Sequence, residues 1–389
     1  VEIVAPRRAA IWTHALTAAG IFGMTAALAL VTPMNAEAQN NNAPSKLFYV
    51  GTYSPAEAAG IYVFRLDDTT GSIQLVGSVA GIENPSFLAL STDRTKLYSV
   101  SETSNGGIAS FKIDPETKLP VLVNKESSKG SYPCHLSVDK TGKMLVVANY
   151  GDGVIASYPL NSDGQIGPAA SVIKQAGTGP NKARQEGPHA HFATFDTAGT
   201  RVFTCDLGAD KIFMYQATPL AGTLAPTKPA FGSVVPGSGP RHLVFDATGR
   251  YAYVLNEMTA TVTVFRYDHQ SGFSSRQNVS ALPADYNGEN SGAEIVMHPS
   301  GRYLFTSNRG HDTVAVFAIS KVDGKLMLKG HIPVGKTPRG FAIDPTGRWL
   351  VIAGQDDGSV RVFKFDAETG KATDTTFTAT ISKPVCVLF

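Results

Sequence analysis

The stretch HLVFDATGRYAYVLN, residues 242–256, carries two short apolar strands on either side of an Asp-x-x-Gly tetrapeptide. Aspartate bonds the backbone of its own turn and glycine tolerates positive φ, so the tetrapeptide closes a tight antiparallel hairpin. The same design recurs as HLSVDKTGKMLVVAN (135–149), HFATFDTAGTRVFTCD (191–206), EIVMHPSGRYLFTSN (294–308) and GFAIDPTGRWLVIAG (340–354), with a looser copy, FLALSTDRTKLYSVS (87–101). Each is followed by an alternating, β-branched and aromatic strand: TVTVFRY (261–267) in the first case, and GIASFKI, GVIASYPL, KIFMYQA, TVAVFAI and SVRVFKF in the others.

A seventh such strand, GIYVFRL (60–66), stands near the start without an Asp-x-x-Gly hairpin before it. The aromatic markers Phe64, Phe111, Tyr158, Tyr215, Phe265, Phe317 and Phe363 are spaced 47, 47, 57, 50, 52 and 46 residues apart. Units of this length with several strands each predict an all-β, seven-bladed propeller. The chain ends on PVCVLF (384–389), half of another hairpin, which predicts that the C-terminal strand completes a sheet begun at Leu47 and leaves no free edge there. A β-sandwich or an open solenoid would not require the two ends to complement each other.

The propeller accounts for residues 46–389 as one domain. Residues 1–38 read differently: Arg7 and Arg8 precede an apolar run from about Ala15 to Val31, followed by Ala36-Glu37-Ala38, the pattern of a secretory signal peptide cleaved near Ala38. Residues 39–45 then form a disordered leader, and the expected location is periplasmic or secreted, with no stable membrane association after cleavage. The three cysteines, Cys134, Cys205 and Cys386, are odd in number and lack a CxxC spacing, so they read as small buried hydrophobes rather than as disulfides or zinc ligands. A net charge of +2 over 389 residues, without blocks of like charge, gives no footprint for nucleic acid. Neither a calcium-loop pattern nor a G-x-S-x-G elbow occurs, and no metal or other cofactor is expected.

In an antiparallel blade the start of the innermost strand and the end of the second lie at the same end of the ring. The sequence concentrates polarity there: Cys134, His135, His189, His191, Arg241, His242, Glu294 and Arg339 at the starts, and Glu102, Asn149, Tyr150, Asp206, Asn256, Glu257, Asn308, Arg309 and Gln355 at the ends. Asn149, Asn256 and Asn308 recur and read as turn chemistry. Glu257 and Arg309 occupy a place that Tyr150, Leu207 and Gln355 fill elsewhere, so the repeat does not demand their charge. The connection NKARQEGPHAHF (181–192) brings Arg184 and Glu186 over the same mouth.

At FYVGTY (48–53), RQEGPHAHF (184–192), GSGPRHLVFDATGRYAYVLNE (237–257), GAEIVMHPSGRYLFTSNRGHDTVAVF (292–317) and TPRGFAIDPTGRWLVIAG (337–354), the chain resembles the seven-bladed lactonases typified by bacterial 6-phosphogluconolactonases and related to fungal carboxymuconate lactonizing enzymes. That resemblance implies metal-free opening of a sugar lactone, phosphorylated or not, by a His, two Arg and a Glu. Those roles fall on His189 or His191, Arg241, Arg309 and Glu257. Glu257 with a histidine serves as base, and the two arginines as oxyanion stabiliser and anion clamp. A glutamate between arginines has a depressed pKa, however, which shifts the proton toward a histidine. His135, Arg184, Glu186, His242, Glu294 and Arg339 are the expected substrate-binding residues. The competing readings are an exported non-catalytic propeller and a muconate-type cycloisomerase.

Overall fold

The computed structural model describes residues 44–389. The expected signal peptide (1–38) and residues 39–43 of the leader lie outside the described residues; the first strand begins at Ser45. Strands form seven four-stranded antiparallel sheets, and no helix occurs among the described residues. Blade 1 is closed by both ends of the chain: Pro384–Leu388 is its innermost strand and pairs with Ser45–Thr52, matching Val50 to Val387 and Gly51 to Cys386. Blades 2 to 7 follow in order, with innermost strands Leu88–Leu90, Pro133–Val138, Ala190–Phe195, Pro240–Phe245, Ser291–Met297 and Pro338–Ile343.

The hairpins close as the tetrapeptide dictates. In blade 3, Asp139 accepts bonds from the N–H groups of Thr141 (2.9 Å), Lys143 (2.7 Å) and Met144 (2.7 Å), while Gly142 takes φ of 68°. In blade 6 the aspartate is replaced by His298, whose Nδ1 accepts the Ser300 N–H at 3.1 Å and whose Nε2 donates to the Gly347 carbonyl at 2.9 Å. The looser copy in blade 2 has Arg94 at φ 57° where the others have glycine.

The seven aromatic markers are all buried and pack where neighbouring blades meet; Phe265, for instance, joins Phe203 and Met214 of one blade to Leu243 and Val254 of the next. Burying one such ring contributes roughly 1.5–3 kcal/mol, so the blade seams, repeated seven times, hold the disc. All three cysteines are free and buried, as their apolar flanks suggested.

Two features of register prepare the site. The innermost strand bulges as it enters the sheet: in blades 3, 4, 5 and 7 the pairing skips one residue, respectively Cys134, His191, Arg241 and Arg339, and in blade 6 it skips Ala293 and Glu294. A bulged residue escapes the strict alternation of faces, which lets its side chain be re-aimed. The second feature is the residue just beyond the second strand. Tyr53, Glu102, Tyr150, Leu207, Glu257, Arg309 and Gln355 are equivalent, one per blade, each at the same offset from the partner of its aromatic marker. Six of them donate the same backbone bond to the loop feeding the innermost strand, as in Glu257 N–H to the Gly239 carbonyl (2.7 Å) and Glu102 N–H to the Asn84 carbonyl (3.1 Å).

Candidate active site

These two rings of residues enclose a cavity of about 320 Å³ lined by Glu102, Cys134, Tyr150, Arg184, His191, Glu257, Ser291, Arg309 and Arg339. Its walls come from six of the seven blades. Arg184 and Ser291 are exceptions to the ring pattern: Ser291 begins the innermost strand of blade 6 ahead of its bulge, and Arg184 hangs from the connection into blade 4, with 44% of its side chain exposed.

Glu257 is the hub. Its Oε1 accepts from Arg184 Nη2 at 2.7 Å, and its Oε2 lies 3.1 Å from Arg241 Nε and 2.9 Å from Arg309 Nη2. Burial by itself would raise the carboxyl pKa, but Arg309, Arg241 and Arg184 outweigh it and hold the value at about 2. Glu257 is therefore a fixed anion that aligns three guanidiniums. This removes it from the role of base expected from the sequence.

Arg241 is braced from behind. Its Nη1 donates to the Ala293 carbonyl and to Nε2 of His242 at 3.2 Å. A guanidinium has no acceptor, so His242 Nε2 must be unprotonated and the proton sits on Nδ1, which donates to Glu294 Oε1 at 2.9 Å. Burial, followed by Arg241 and Arg339, keeps His242 neutral, and burial pushes Glu294 up to about 7. Glu294 Oε1 also accepts the Ile295 N–H at 2.9 Å. His242 and Glu294, expected as substrate-binding residues, lie beneath the cavity wall and act through Arg241. His135 does not line the cavity either. Its ring is wedged between Phe87 (4.0 Å) and Phe192 (4.1 Å), 5.2 Å from His242, in a cluster of aromatic rings.

The two histidines that the sequence left open are separated by the structure. His191, at the bulge, lines the cavity; burial and then Arg241 and His242 keep its pKa well below the ordinary value, so its ring is neutral. His189 stacks on Tyr150 (4.8 Å between centroids), with Nδ1 2.9 Å from the Tyr150 carbonyl and Nε2 3.0 Å from Glu186. His189 and Glu186 thus brace the 181–192 connection at the rim rather than face the cavity. Arg339 lies over the Tyr53 ring (5.3 Å) and, among the described residues, its guanidinium makes no hydrogen bond or ion pair. It is the cation left free for a ligand.

Tyr53 was not anticipated, because its blade lacks the hairpin that aligned the others. Ser291 was likewise missed. Glu102, Tyr150 and Cys134 were placed at the mouth but not among the expected site residues. Among the described residues no group of three or more His, Cys, Asp and Glu side chains is placed to hold a metal ion. In charge, three lining guanidiniums, with Arg241 behind them, outnumber the two lining carboxylates, and with neutral histidines around them the cavity favours an anion or a developing oxyanion.

Known proteins resemble this chain over nearly the whole propeller. Residues 47–389 match the family described as Lactonase, 7-bladed beta-propeller. The chain is 35% identical to the 6-phosphogluconolactonase of Bacillus subtilis strain 168, covering 88% of this chain and 97% of that one. It is likewise 35% identical to the 6-phosphogluconolactonase of Formosa agariphila, over 83% of this chain and 93% of the relative. The solved structure of the periplasmic gluconolactonase of Pseudomonas aeruginosa superposes with a TM-score of 0.83 at 30% identity, covering 88% of this chain and 98% of that one.

Proposed function

The chain belongs to the seven-bladed β-propeller lactonase family, and from that premise we infer that it hydrolyses a sugar lactone to the open-chain aldonate. The observation that carries this reading is the convergence, in one small cavity, of a free guanidinium (Arg339) and a second one (Arg309) held in place by a fixed anion. Ester hydrolysis develops negative charge on the carbonyl oxygen, and preorganised cations aimed at that oxygen stabilise it most where water is excluded. The product is a carboxylate, which the excess of guanidiniums also suits. Arg309 and Arg339 face the substrate, whereas Arg241, His242 and Glu294 hold Glu257 and thereby Arg309 and Arg184 in register.

Relatives bearing the names of a phosphorylated and an unphosphorylated substrate frame the choice of lactone. The export signal read at residues 1–38 supports a plain aldonolactone met outside the cytoplasm. Recovery of a mature chain starting near residue 39 from a periplasmic extract tests that location. For the reaction, acid release from gluconolactone and from 6-phosphogluconolactone is measured against the spontaneous rate, with carboxymuconate as the cycloisomerase control. Acceleration of at least one lactone, abolished in Arg309→Ala, is expected. Turnover of carboxymuconate alone, or of nothing, overturns the reading.

A further inference from the structure

Two carboxylates line the cavity, and they are held in opposite ways. Glu257 is saturated by three guanidiniums. Glu102, from the equivalent position three blades away, forms no ion pair among the described residues; its partners are hydroxyls. Tyr53 shares its O–H between Oε1 (3.1 Å) and Oε2 (3.0 Å), and Ser86 donates to Oε2. Ser86 stands where the other innermost strands place their bulged residue, two positions beyond the Asn84 carbonyl that accepts the Glu102 N–H. The Asn84 side-chain amide in turn donates to the Glu102 carbonyl at 3.3 Å. Backbone and side chain are both fixed, yet Oε1 carries only a share of one hydrogen bond and retains a lone pair toward the cavity.

We propose that Glu102 is the general base of lactone hydrolysis, with Tyr53 and Ser86 as positioning residues that hold its carboxylate toward the bound ring. The inference rests on the lactonase reading above. Glu102 takes one proton from a water molecule as the water oxygen bonds to the lactone carbonyl carbon, and the resulting oxyanion faces Arg339. Collapse of the tetrahedral species breaks the bond between that carbon and the ring oxygen, which leaves with the proton returned by Glu102. The new carboxylic acid then releases its own proton to solvent. Lactone and water become aldonate and one proton, and Glu102 is restored. His191, the other candidate base on the wall, has its Nδ1 buried without a partner among the described residues and is kept neutral with little affinity for a proton.

The experiment compares wild type, Glu102→Gln and Tyr53→Phe as full chains, using whichever aldonolactone the wild type turns over, with kcat and KM followed across pH. In Glu102→Gln, kcat falls about 100-fold or more while KM changes little, and the deficit narrows as hydroxide replaces the missing base at high pH. In Tyr53→Phe, the carboxylate keeps its place but loses a donor to its charged form, so the acidic limb of the kcat profile moves to higher pH. A purely structural tyrosine would lower kcat without moving that limb. Retention of kcat within about threefold in a folded Glu102→Gln, or a loss confined to KM, overturns the assignment. If Glu102→Gln fails to fold, an unshifted limb in Tyr53→Phe does so. A wild type that hydrolyses no lactone sinks the lactonase reading itself, and a wild type that is active while both variants behave as wild type sinks only this one.

Discussion

Replacing Glu257 by glutamine removes one negative charge while keeping the side chain's shape, and the structure fixes the size of the effect. Three guanidiniums lose their common counter-ion, and two of them, Arg241 and Arg309, are largely shielded from water. The shift of the carboxyl from 4.5 to about 2 measures how strongly the fold prefers the ionised form. At 1.36 kcal/mol per pH unit, this corresponds to about 3 kcal/mol. Because the folded pKa lies below the unfolded one, the contribution is complete above pH 4.5 and is lost as pH falls through 2. Glutamine imitates the protonated acid. The variant is therefore expected to be about 3 kcal/mol less stable than wild type at pH 7 and only about 1 kcal/mol less stable at pH 3. With an unfolding entropy of about 2.1 cal/mol/K per residue, the pH 7 deficit lowers the melting temperature by about 4 °C. Urea unfolding followed by tryptophan and tyrosine fluorescence at both pH values is the assay. Equal stability at pH 7, or a deficit of the same size at pH 3, would refute the idea that Glu257 is a fixed anion clamped by arginines.

Arg339→Met removes a cation that makes no direct ion pair but that Tyr53, Glu102 and Glu257 attract strongly enough to outweigh its burial, so thermal stability falls slightly while affinity for the aldonate product, read by titration calorimetry, falls about tenfold or more. Glu294→Gln keeps an acceptor for His242 without a buried charge. Glu294 titrates near 7 in the fold against 4.5 unfolded, so its contribution is complete below pH 4.5 and lost as pH rises through 7. The variant is expected to exceed wild type by up to about 3 kcal/mol at pH 8 and to match it at about pH 4 in thermal melts. Deleting residues 384–389 strips the innermost strand from blade 1 and exposes the edge of Ser45–Thr52. Loss of soluble monomer in size-exclusion chromatography is expected, and a stable six-bladed remnant with a native melting profile would contradict ring closure.

The fold was legible because each of its determinants is local. Asp-x-x-Gly at 139–142, 196–199, 246–249 and 344–347 makes its own hairpin, the aromatic strand after it seals a blade seam, and PVCVLF at the end lacks a partner until Ser45–Thr52 supplies one. The bulges were not legible. A single skipped residue leaves the hydrophobic pattern almost intact, and the prolines at 133, 240 and 338, each just before a bulge, are the one repeated trace of it. Without the bulge, His191 could not be told from His189, nor could His135 and His242 be assigned outside the cavity rather than in it. The depressed pKa of Glu257 was legible from Arg241 and Arg309 alone. That a third arginine joins them was not, because Arg184 reaches Glu257 from 73 residues away through a connection with no repeat to align it.

What recurs around the ring and what does not therefore divide the polar residues by purpose. Asn149, Asn256 and Asn308 repeat because each spends its amide on the hairpin or loop beside it: Asn149 donates to Ser128 and Val154, Asn256 to Thr261 and Thr263, Asn308 to Ala281. The next residue along has its backbone held in nearly every blade and its side chain left free of that duty. Leu207 and Gln355 fill it without charge, and the blades they belong to close as well as the others. Since closing a blade does not require a charge or a ring there, the tyrosines, the two glutamates and the arginine at 53, 150, 102, 257 and 309 are there for the cavity, even where, as at Glu257, their mutual pairing also stabilises the fold. The same inference separates the two carboxylates. One was given three cations, which occupy both of its oxygens; the other was given hydroxyl partners, which leave an oxygen with room for water.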